Sequence, residues 1–355
     1  RHPGRVLIIW GALMLLSIGG ILLIRTSVNL TEYFKKDNPT RISEDLMQKK
    51  FGGSMPVYIQ FDGDIQDPGV LKLMMKTEGF MKEDPNISSA QSVADLVAQM
   101  NNAMGEGVKI PDERAKVEQL WFLLDGQDVM SQLVSEDLDR AIIQSKFASI
   151  KTSDIGTFSD KMAQFARENS SEQCRISFTG IPPIYVRLND SLVKSQYSSL
   201  IIAIIMVLII ISAMMRSFKK GIYATLPILA TIMLLLGFMG LTGIPLDIAT
   251  VLVGSIALGI GIDYSIHVIT GFTTYFRESG DAEKAIEATI LSKGKAVVIN
   301  VLSVAAGFLV LIKAELLPIQ NFGLLIAISM VASGMAALTL LPVILILAFR
   351  KKKKA

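Results

Sequence analysis

Residues 198–215 of the 355-residue chain read SSLIIAIIMVLIIISAMM, a run of eighteen residues without a charge. An α-helix rises about 1.5 Å per residue, so such a run spans roughly 27 Å, close to the ~30 Å hydrocarbon core of a bilayer. Five further apolar segments lie at 6–24, 222–242, 248–270, 296–313 and 320–349. The pattern predicts an α-helical membrane protein with six transmembrane helices.

A polar stretch, residues 26–196, separates the first two apolar segments. Within it, β-rich runs alternate with helical periodicity. The strand-like runs are 56–61, 140–147 and 175–179, and the helical runs are 68–82, 92–104, 112–124, 153–168 and 182–196. Two β-α-β units with a helical insert predict an inserted α+β domain of the ferredoxin-like kind.

The predicted domain boundaries follow from these segments. They are 1–25 for the first transmembrane helix, 26–196 for the inserted domain, 197–349 for a five-helix bundle and 350–355 for a basic tail. The first apolar segment could instead be a cleaved signal peptide, which has a shorter apolar core and a small-residue cleavage site. Because Arg25–Val28 contains no A-x-A pattern, a retained helix is the better interpretation.

Basic residues lie in alternate connections between the apolar segments. They are Arg1 and Arg5 before the first segment, Arg216, Lys219 and Lys220 after the second, Lys293 and Lys295 after the fourth, and Arg350 to Lys354 after the sixth. Short basic connections remain in the cytoplasm during membrane insertion. We therefore expect both termini in the cytoplasm and residues 26–196 outside it, in a multi-pass protein of the cell membrane.

The composition argues against several functional classes. The formal net charge of +3 is too small to indicate nucleic-acid binding, and Cys174, the single cysteine, excludes a disulfide within the chain. His2 and His267 are the only histidines, so the inserted domain has none. Since no Cys, His and Asp cluster has metal-ligand spacing, we expect neither an enzyme nor a cofactor.

The most informative stretch is Gly259–His267, GIGIDYSIH, inside the fourth apolar segment. An ionised carboxylate near the bilayer centre costs about 2.5–3.5 kcal/mol on insertion scales, so Asp263 needs a partner, a proton or a water-filled cavity. His267 lies four residues on, hence on the same helix face, and Tyr264 adds a hydroxyl. Desolvation favours the protonated carboxyl and a nearby cation favours the ionised one, so Asp263 is a candidate proton carrier. Two alternatives remain, Asp263 in headgroup water and His267 as an interfacial residue.

Other polar or small residues of the apolar segments have simpler explanations. Gly259 and Gly261 resemble a dinucleotide-binding loop, but position 264 is Tyr where a third glycine is required, so close helix packing is favoured. Asn300 and Ser303 lie three residues apart in the fifth segment, and Ser329 and Ser333 lie four apart in the sixth. Hydrogen bonds between helices explain such residues more often than ion transport does, with support of a proton relay as the alternative.

The chain resembles the resistance-nodulation-division (RND) superfamily in its MMPL/Patched-like branch. The resemblance rests on Gly259–His267, and on four shorter motifs with the order of one helix, one domain and five helices. These motifs are FGGS at 51–54, TGIP at 179–182, SKGKA at 292–296 and QNFG at 320–323. The resemblance implies that residues 26–196 form a porter domain and that Asp263 and Tyr264 relay protons, with His267 as a third candidate.

The resemblance also implies a function. It suggests proton-driven export of a lipid or another hydrophobic molecule, with protons crossing at Asp263. Family members carry the six-helix unit twice, so we expect a second six-helix half, from self-association or from a longer polypeptide. A lipid sensor or scaffold of the sterol-sensing-domain type is the main alternative, and an accessory motor of the Sec translocon shares the layout.

Overall fold

The computed structural model describes residues 3–27, 30–148 and 152–349. Arg1 and the basic tail at 350–355 lie outside the described residues. As far as they are described, residues 28–189 form one compact unit, and residues 1–27 and 190–355 form another. We call these the sheet unit and the bundle unit.

The first long helix, α1 (Pro3–Ile21), precedes the sheet unit along the chain. After a 3-10 turn at Leu30–Tyr33, the elements of the sheet unit are α2 (Pro39–Phe51), β1 (Met55–Gly63), α3 (Pro68–Lys82), β2 (Ile87–Gln91), α4 (Val93–Ala103), α5 (Arg114–Leu124), α6 (Asp128–Leu133), β3 (Arg140–Phe147), α7 (Thr152–Asn169) and β4 (Cys174–Gly180). Asp67 begins α3 by accepting hydrogen bonds from the backbone N–H groups of Gly69 (2.7 Å) and Val70 (3.2 Å). Pro68 fits the first turn because that position needs no intrahelical N–H.

The four strands form one sheet in the order β2-β3-β1-β4, and every neighbouring pair is antiparallel. At its centre, Ile59 of β1 lies opposite Ile143 of β3 and Phe178 of β4. Side chains of β1 are alternately buried and half-buried, so one face of the sheet packs on the core. The sequence analysis located three strands and missed β2, a short edge strand with the polar sequence ISSAQ.

The core of the sheet unit lies between one face of the sheet and helices α3, α4 and α7. Its largest completely buried side chains come from several elements. They are Ile59, Phe61, Ile65, Leu71, Met74, Met81, Ile143, Phe147, Ile155, Phe158 and Met162. Fully burying a side chain of this size contributes about 1.5–3 kcal/mol, so this core is the main source of stability for the unit.

The bundle unit contains the remaining long helices, except for the first turns of one. They are α8 (Ile181–Met214), α9 (Phe218–Thr242), α10 (Thr250–Ser279), α11 (Ala282–Leu309, extended by a 3-10 turn to Lys313), α12 (Leu317–Met335) and α13 (Leu341–Phe349). Helix α8 up to Asn189 belongs to the sheet unit. A π-helical turn, Ala336–Leu340, joins α12 to α13. Pro342 explains it, since proline has no N–H to donate to the preceding turn.

Six helices of the described chain are long and apolar enough to cross a membrane: α1, α8, α9, α10, α11 with its 3-10 turn, and α12 continued into α13. This confirms the predicted number. Half or more of the apolar window is buried in α9, α10 and α12–α13 (61%, 50% and 61%), against 17% in α1, α8 and α11. Helices α9, α10 and α12–α13 therefore form the interior of the bundle unit.

Two connections differ from their sequence interpretation or add to it. The charged stretch 271–295, between the fourth and fifth apolar segments, is mostly helical. Helix α10 continues to Ser279 and α11 already begins at Ala282, where Asp281 accepts a hydrogen bond from the N–H of Glu283 (2.9 Å). Between α9 and α10, buried Asp247 accepts hydrogen bonds from the N–H groups of Ala249 (2.9 Å) and Thr250 (2.8 Å) and so caps α10.

Candidate functional site

Helix α10 carries the three predicted relay residues near its midpoint, far from either helix end. Its regular hydrogen-bonding between Thr250 and Ser279 fixes the direction of each side chain. Successive residues of an α-helix are rotated by about 100°, whereas residues four apart lie on one face. Asp263 and His267 therefore share a face of α10, and Tyr264 points elsewhere.

Tyr264 points into the bundle unit and is 2% exposed. Its hydroxyl donates a hydrogen bond to Oδ1 of Asn300 on α11 (3.1 Å) and lies 3.9 Å from Sδ of Met330 on α12. The hydroxyl thus connects α10 to α11 and α12. Asn300 was a candidate for helix packing or relay support, and the structure places its amide oxygen in contact with the predicted relay tyrosine.

Asp263 and His267 are exposed on the outside of the bundle unit. Neither side chain forms a hydrogen bond or an ion pair with another residue that the structure describes. Their face of α10 continues through Gly259 and Ser255, both exposed and each four residues earlier. A Cβ placed on Gly259 would meet no atom within 4 Å, so this glycine packs against nothing in the described chain. We call Ser255, Gly259, Asp263 and His267 the polar face.

The other glycine of the motif lies on the opposite, buried side. Ser333 of α12 donates a hydrogen bond to the carbonyl oxygen of Gly261 (3.1 Å). A Cβ on Gly261 would lie 2.7 Å from the Ser333 hydroxyl oxygen, so the two helices approach closely at this point. Ser303 of α11, by contrast, is exposed. The four candidates for packing or relay support therefore divide, with Gly261 packed inside, Asn300 bonded to Tyr264, and Gly259 and Ser303 open to the outside.

Among the buried polar groups that were not singled out from the sequence, two lie on α10 or against it. Gln196 of α8 is 4% exposed, and its side-chain oxygen has no hydrogen-bond partner among the described residues. Its amide nitrogen lies 2.7 Å from the position of a Cβ on Gly254, so only glycine fits there without a shift. The hydroxyl of Ser265 on α10 is also buried without a partner in the described chain. Gln196 lies where a polar run of the sequence meets an apolar run. No feature of the sequence there predicts that its side chain is buried.

The arrangement can hold and release a proton, since a carboxyl group and an imidazole lie on one face at mid-helix. Within the described residues, no three His, Cys, Asp or Glu side chains come together as a metal site. Proton exchange is one chemistry that this pair of side chains allows. The hydrogen bond between Tyr264, the residue after Asp263, and Asn300 connects α10 to α11.

Comparison with known proteins gave a match to a family model and matches to individual proteins. The model of the MMPL family matches residues 60–355, more than half of the chain. A membrane protein of Methanocaldococcus jannaschii is 28% identical over 292 residues, which cover 80% of this chain and 72% of that protein.

Two exporters are similar over shorter stretches. The sulfolipid-1 exporter of Mycobacterium tuberculosis is 27% identical over 118 residues, or 33% of this chain and 11% of the exporter. The apo-petrobactin exporter of Bacillus anthracis is 28% identical over 149 residues, or 40% of this chain and 20% of the exporter. The matched stretches thus span a small part of these two long proteins.

Proposed function

The chain belongs to the MMPL family, a multi-pass membrane protein family, and on this basis we propose that it is one six-helix half of an RND-type secondary transporter. Its cargo is a lipid or another hydrophobic molecule, and the proton-motive force drives export. Two similar proteins are named as exporters, one of them of a sulfolipid, which supports export as the activity. No catalytic step is part of this proposal, so the protein is not an enzyme.

The polar face is the observation that carries the proposal. A charged group at the centre of a lipid-facing helix costs about 2.5–3.5 kcal/mol or more, and Asp263 and His267 lie on the outside of the bundle unit. Contact between lipid and the polar face is therefore energetically unfavourable. A second six-helix half, either a second copy or the other half of a longer polypeptide, covers it and supplies the missing polar partners.

Covering the polar face also creates a proton path. Asp263 accepts a proton where the face opens to water on one side and releases it when its surroundings change, and His267 exchanges protons with it one helical turn away. One charge that crosses ~100 mV releases about 2.3 kcal/mol. Rigid-body rocking of one half against the other then couples this energy to movement of the cargo.

The orientation follows from the basic connections. The basic residues at the α8–α9 junction, Arg216, Lys219 and Lys220, support a cytoplasmic location for that junction. Lys293 and Lys295 lie near the middle of α11, just before its apolar part, and support the same location for that end of the apolar part. Both termini then lie in the cytoplasm of a cell-membrane protein. The sheet unit lies outside the cytoplasm.

The sheet unit is a porter domain in this proposal. The antiparallel order β2-β3-β1-β4, with α3 after β1 and α7 after β3, supports a ferredoxin-like arrangement. Such a domain receives the cargo from the outer leaflet and passes it outward. This role of the sheet unit does not depend on whether a second copy or the other half of a longer polypeptide covers the polar face.

The test is gradient-driven export by the full chain in proteoliposomes. Asp263→Asn keeps the shape of the side chain but removes its proton chemistry, so we expect export of fluorescent lysophosphatidylglycerol under a pH gradient to be abolished, with insertion and folding intact. Glu278→Gln, a carboxylate change at the end of the same helix, is the matched control and should export normally.

Near-normal export by Asp263→Asn would contradict the relay. Binding of the lipid by the wild-type chain without any movement that depends on the gradient would favour the lipid sensor instead.

A further inference from the structure

A wide groove crosses the sheet unit between α7, β4 and the first turns of α8. Its volume is about 800 Å³, within the range of pockets that hold small amphiphilic molecules. Strand β4 forms an edge of the sheet, so its outer side is not covered by another strand. The groove is therefore open on one side and closed by protein on the other.

The floor of the groove is apolar. Ala163 and Ala166 come from α7, Ile176 and Phe178 from β4, and Val186 from α8. Phe178 is held in place by an edge-to-face contact with Phe158 behind it, with ring centroids 5.6 Å apart. This floor offers a fixed apolar surface for the first carbons of an acyl chain.

Three arginines line the same groove, one from each element: Arg167 of α7, Arg175 of β4 and Arg187 of α8. All three are exposed, and none forms an ion pair with another residue of the described chain. Two other arginines of the sheet unit do form ion pairs, Arg114 with Glu118 (2.9 Å) and Arg140 with Asp139 (3.4 Å).

Two carboxylates, Asp160 and Glu172, also line the groove, so its formal charge is +1. Neither of them pairs with the three arginines, although both are close enough to line the same space. A planar guanidinium group has five donors in a fork that matches phosphate and sulfate. Three such groups without partners above an apolar floor form a site for an anionic headgroup joined to a hydrocarbon chain.

We propose that this groove, lined by Arg167, Arg175 and Arg187, binds anionic amphiphiles such as glycerophospholipids whose headgroup carries a net negative charge. The identification of the amphiphile as cargo rests on the proposed export function, whereas its binding in the groove does not require transport. The floor and the arginines act together, so a headgroup without a chain and a chain with a zwitterionic headgroup both bind more weakly.

The test uses the full chain in phosphatidylcholine nanodiscs, with empty nanodiscs as the blank. Dihexanoylphosphatidylglycerol is titrated by calorimetry, and hydrogen–deuterium exchange locates the site. We expect protection of residues 159–187, and affinities at least tenfold lower for dihexanoylphosphatidylcholine and for glycerol 3-phosphate. Equal affinity for either control ligand, or protection elsewhere only, would overturn the proposal.

Two variants test the two parts of the site. The triple variant Arg167→Gln, Arg175→Gln and Arg187→Gln should lower the affinity at least tenfold. Ala163→Trp fills the groove without changing its charge and should lower the affinity to a similar degree. The matched control changes three exposed basic residues outside the groove, Lys36→Gln, Lys49→Gln and Lys50→Gln, and should stay within twofold of wild type. Undiminished binding by either groove variant, or an equal loss in the lysine control, contradicts the assignment.

Asp263→Asn separates this inference from the proposed function, because that variant should bind dihexanoylphosphatidylglycerol normally. Normal binding without gradient-driven export by the wild-type chain would contradict the proposed transport function and support the groove as a binding site. Gradient-driven export without binding at residues 159–187 would contradict the groove as a binding site and support the transport function.

Discussion

Asp263 and Tyr264 are neighbours in sequence and face different surroundings, Asp263 on the outside of the bundle unit and Tyr264 in its interior. The hydrogen bond from Tyr264 to Asn300 resists rotation of α10 about its own axis. Since the rotation of α10 decides where Asp263 points, we propose that Tyr264 positions the polar face. Direct proton transfer by its hydroxyl, which the family resemblance implies, stays a prediction.

The residues of the candidate site could be named from the sequence, but their directions could not. The four-residue spacing of Asp263 and His267 places them on one helix face, as predicted. Periodicity separates inside from outside in water, where only the interior is apolar. In a membrane the lipid is as apolar as the interior, so nothing in GIGIDYSIH distinguishes the buried Tyr264 from the exposed Asp263.

A buried carboxyl in the sheet unit provides a pH-dependent property that can be measured. Burial raises the pKa of Glu78 from 4.5 to about 7; a hydrogen bond with Ser92 opposes the shift, and the nearby Asp95 carboxylate adds to it. The folded state thus keeps a proton that the unfolded chain releases at lower pH. Stability due to Glu78 is fully present below pH 4.5 and is lost as pH rises to about 7, by roughly 3 kcal/mol.

We expect Glu78→Gln to remove this pH dependence. Amide exchange of α3 and α4 in the full chain, corrected for intrinsic rates, should become faster from pH 5 to pH 7.5 in wild type and change much less in the variant. Glu83→Gln, an exposed carboxyl one turn away, should behave as wild type. Identical pH dependence in wild type and Glu78→Gln would show that Glu78 ionises normally.

At the scale of elements, α1 and α9 approach each other along a seam of small residues. A Cβ on Gly20 would overlap the backbone of Gly237, and one on Gly240 would overlap the backbone of Gly20. On the other side of the seam, a Cβ on Gly237 would overlap the backbone of Ser17. Without a hydrophobic driving force between helices in lipid, such close packing is what holds them together.

Gly237→Val should therefore weaken the attachment of α1. Overpacking costs about 1–3 kcal/mol, and here the obstacle is backbone, so we expect the upper part of that range as a lower midpoint of thermal unfolding in detergent. Gly19→Val is the matched control, because a Cβ on Gly19 meets no atom within 4 Å. Equal effects of the two changes would attribute the loss to helix propensity and not to the seam.

The elements themselves were largely readable from the sequence. Long apolar runs gave the six membrane helices, and alternation gave β1, β3 and β4 within one or two residues. The exceptions have physical reasons. Strand β2 is short and polar, and its pairing with β3 is decided by contacts distant in sequence. Helices α10 and α11 extend beyond their apolar parts because capping at Asp281, not hydrophobicity, fixes where α11 begins.

At the scale of the whole molecule, the polar face allows a test of whether a second six-helix half binds there. If two copies meet there, Gly259→Cys places a thiol at the interface, where a Cβ has free space within one chain. We expect an intermolecular disulfide on mild oxidation in native membranes. Cys174, the single native cysteine, is 3% exposed and gives little background.

Ile209→Cys on the exposed side of α8 is the control and should remain monomeric. A monomeric mass of the detergent-solubilised complex, together with no disulfide at position 259, would exclude self-association through the polar face.

The seam between α1 and α9 also sets an order of events during synthesis. Gly20 and Gly237 are 217 residues apart in sequence (237 − 20). A ribosome that adds about 5–20 residues per second needs roughly 10–40 s to reach the partner helix. During that interval α1 is already translated, whereas α9, which it contacts in the structure, is not yet made. We therefore expect slow translation between residues 20 and 237 to lengthen the time that α1 spends without this partner, in the insertion machinery or in the lipid beside it.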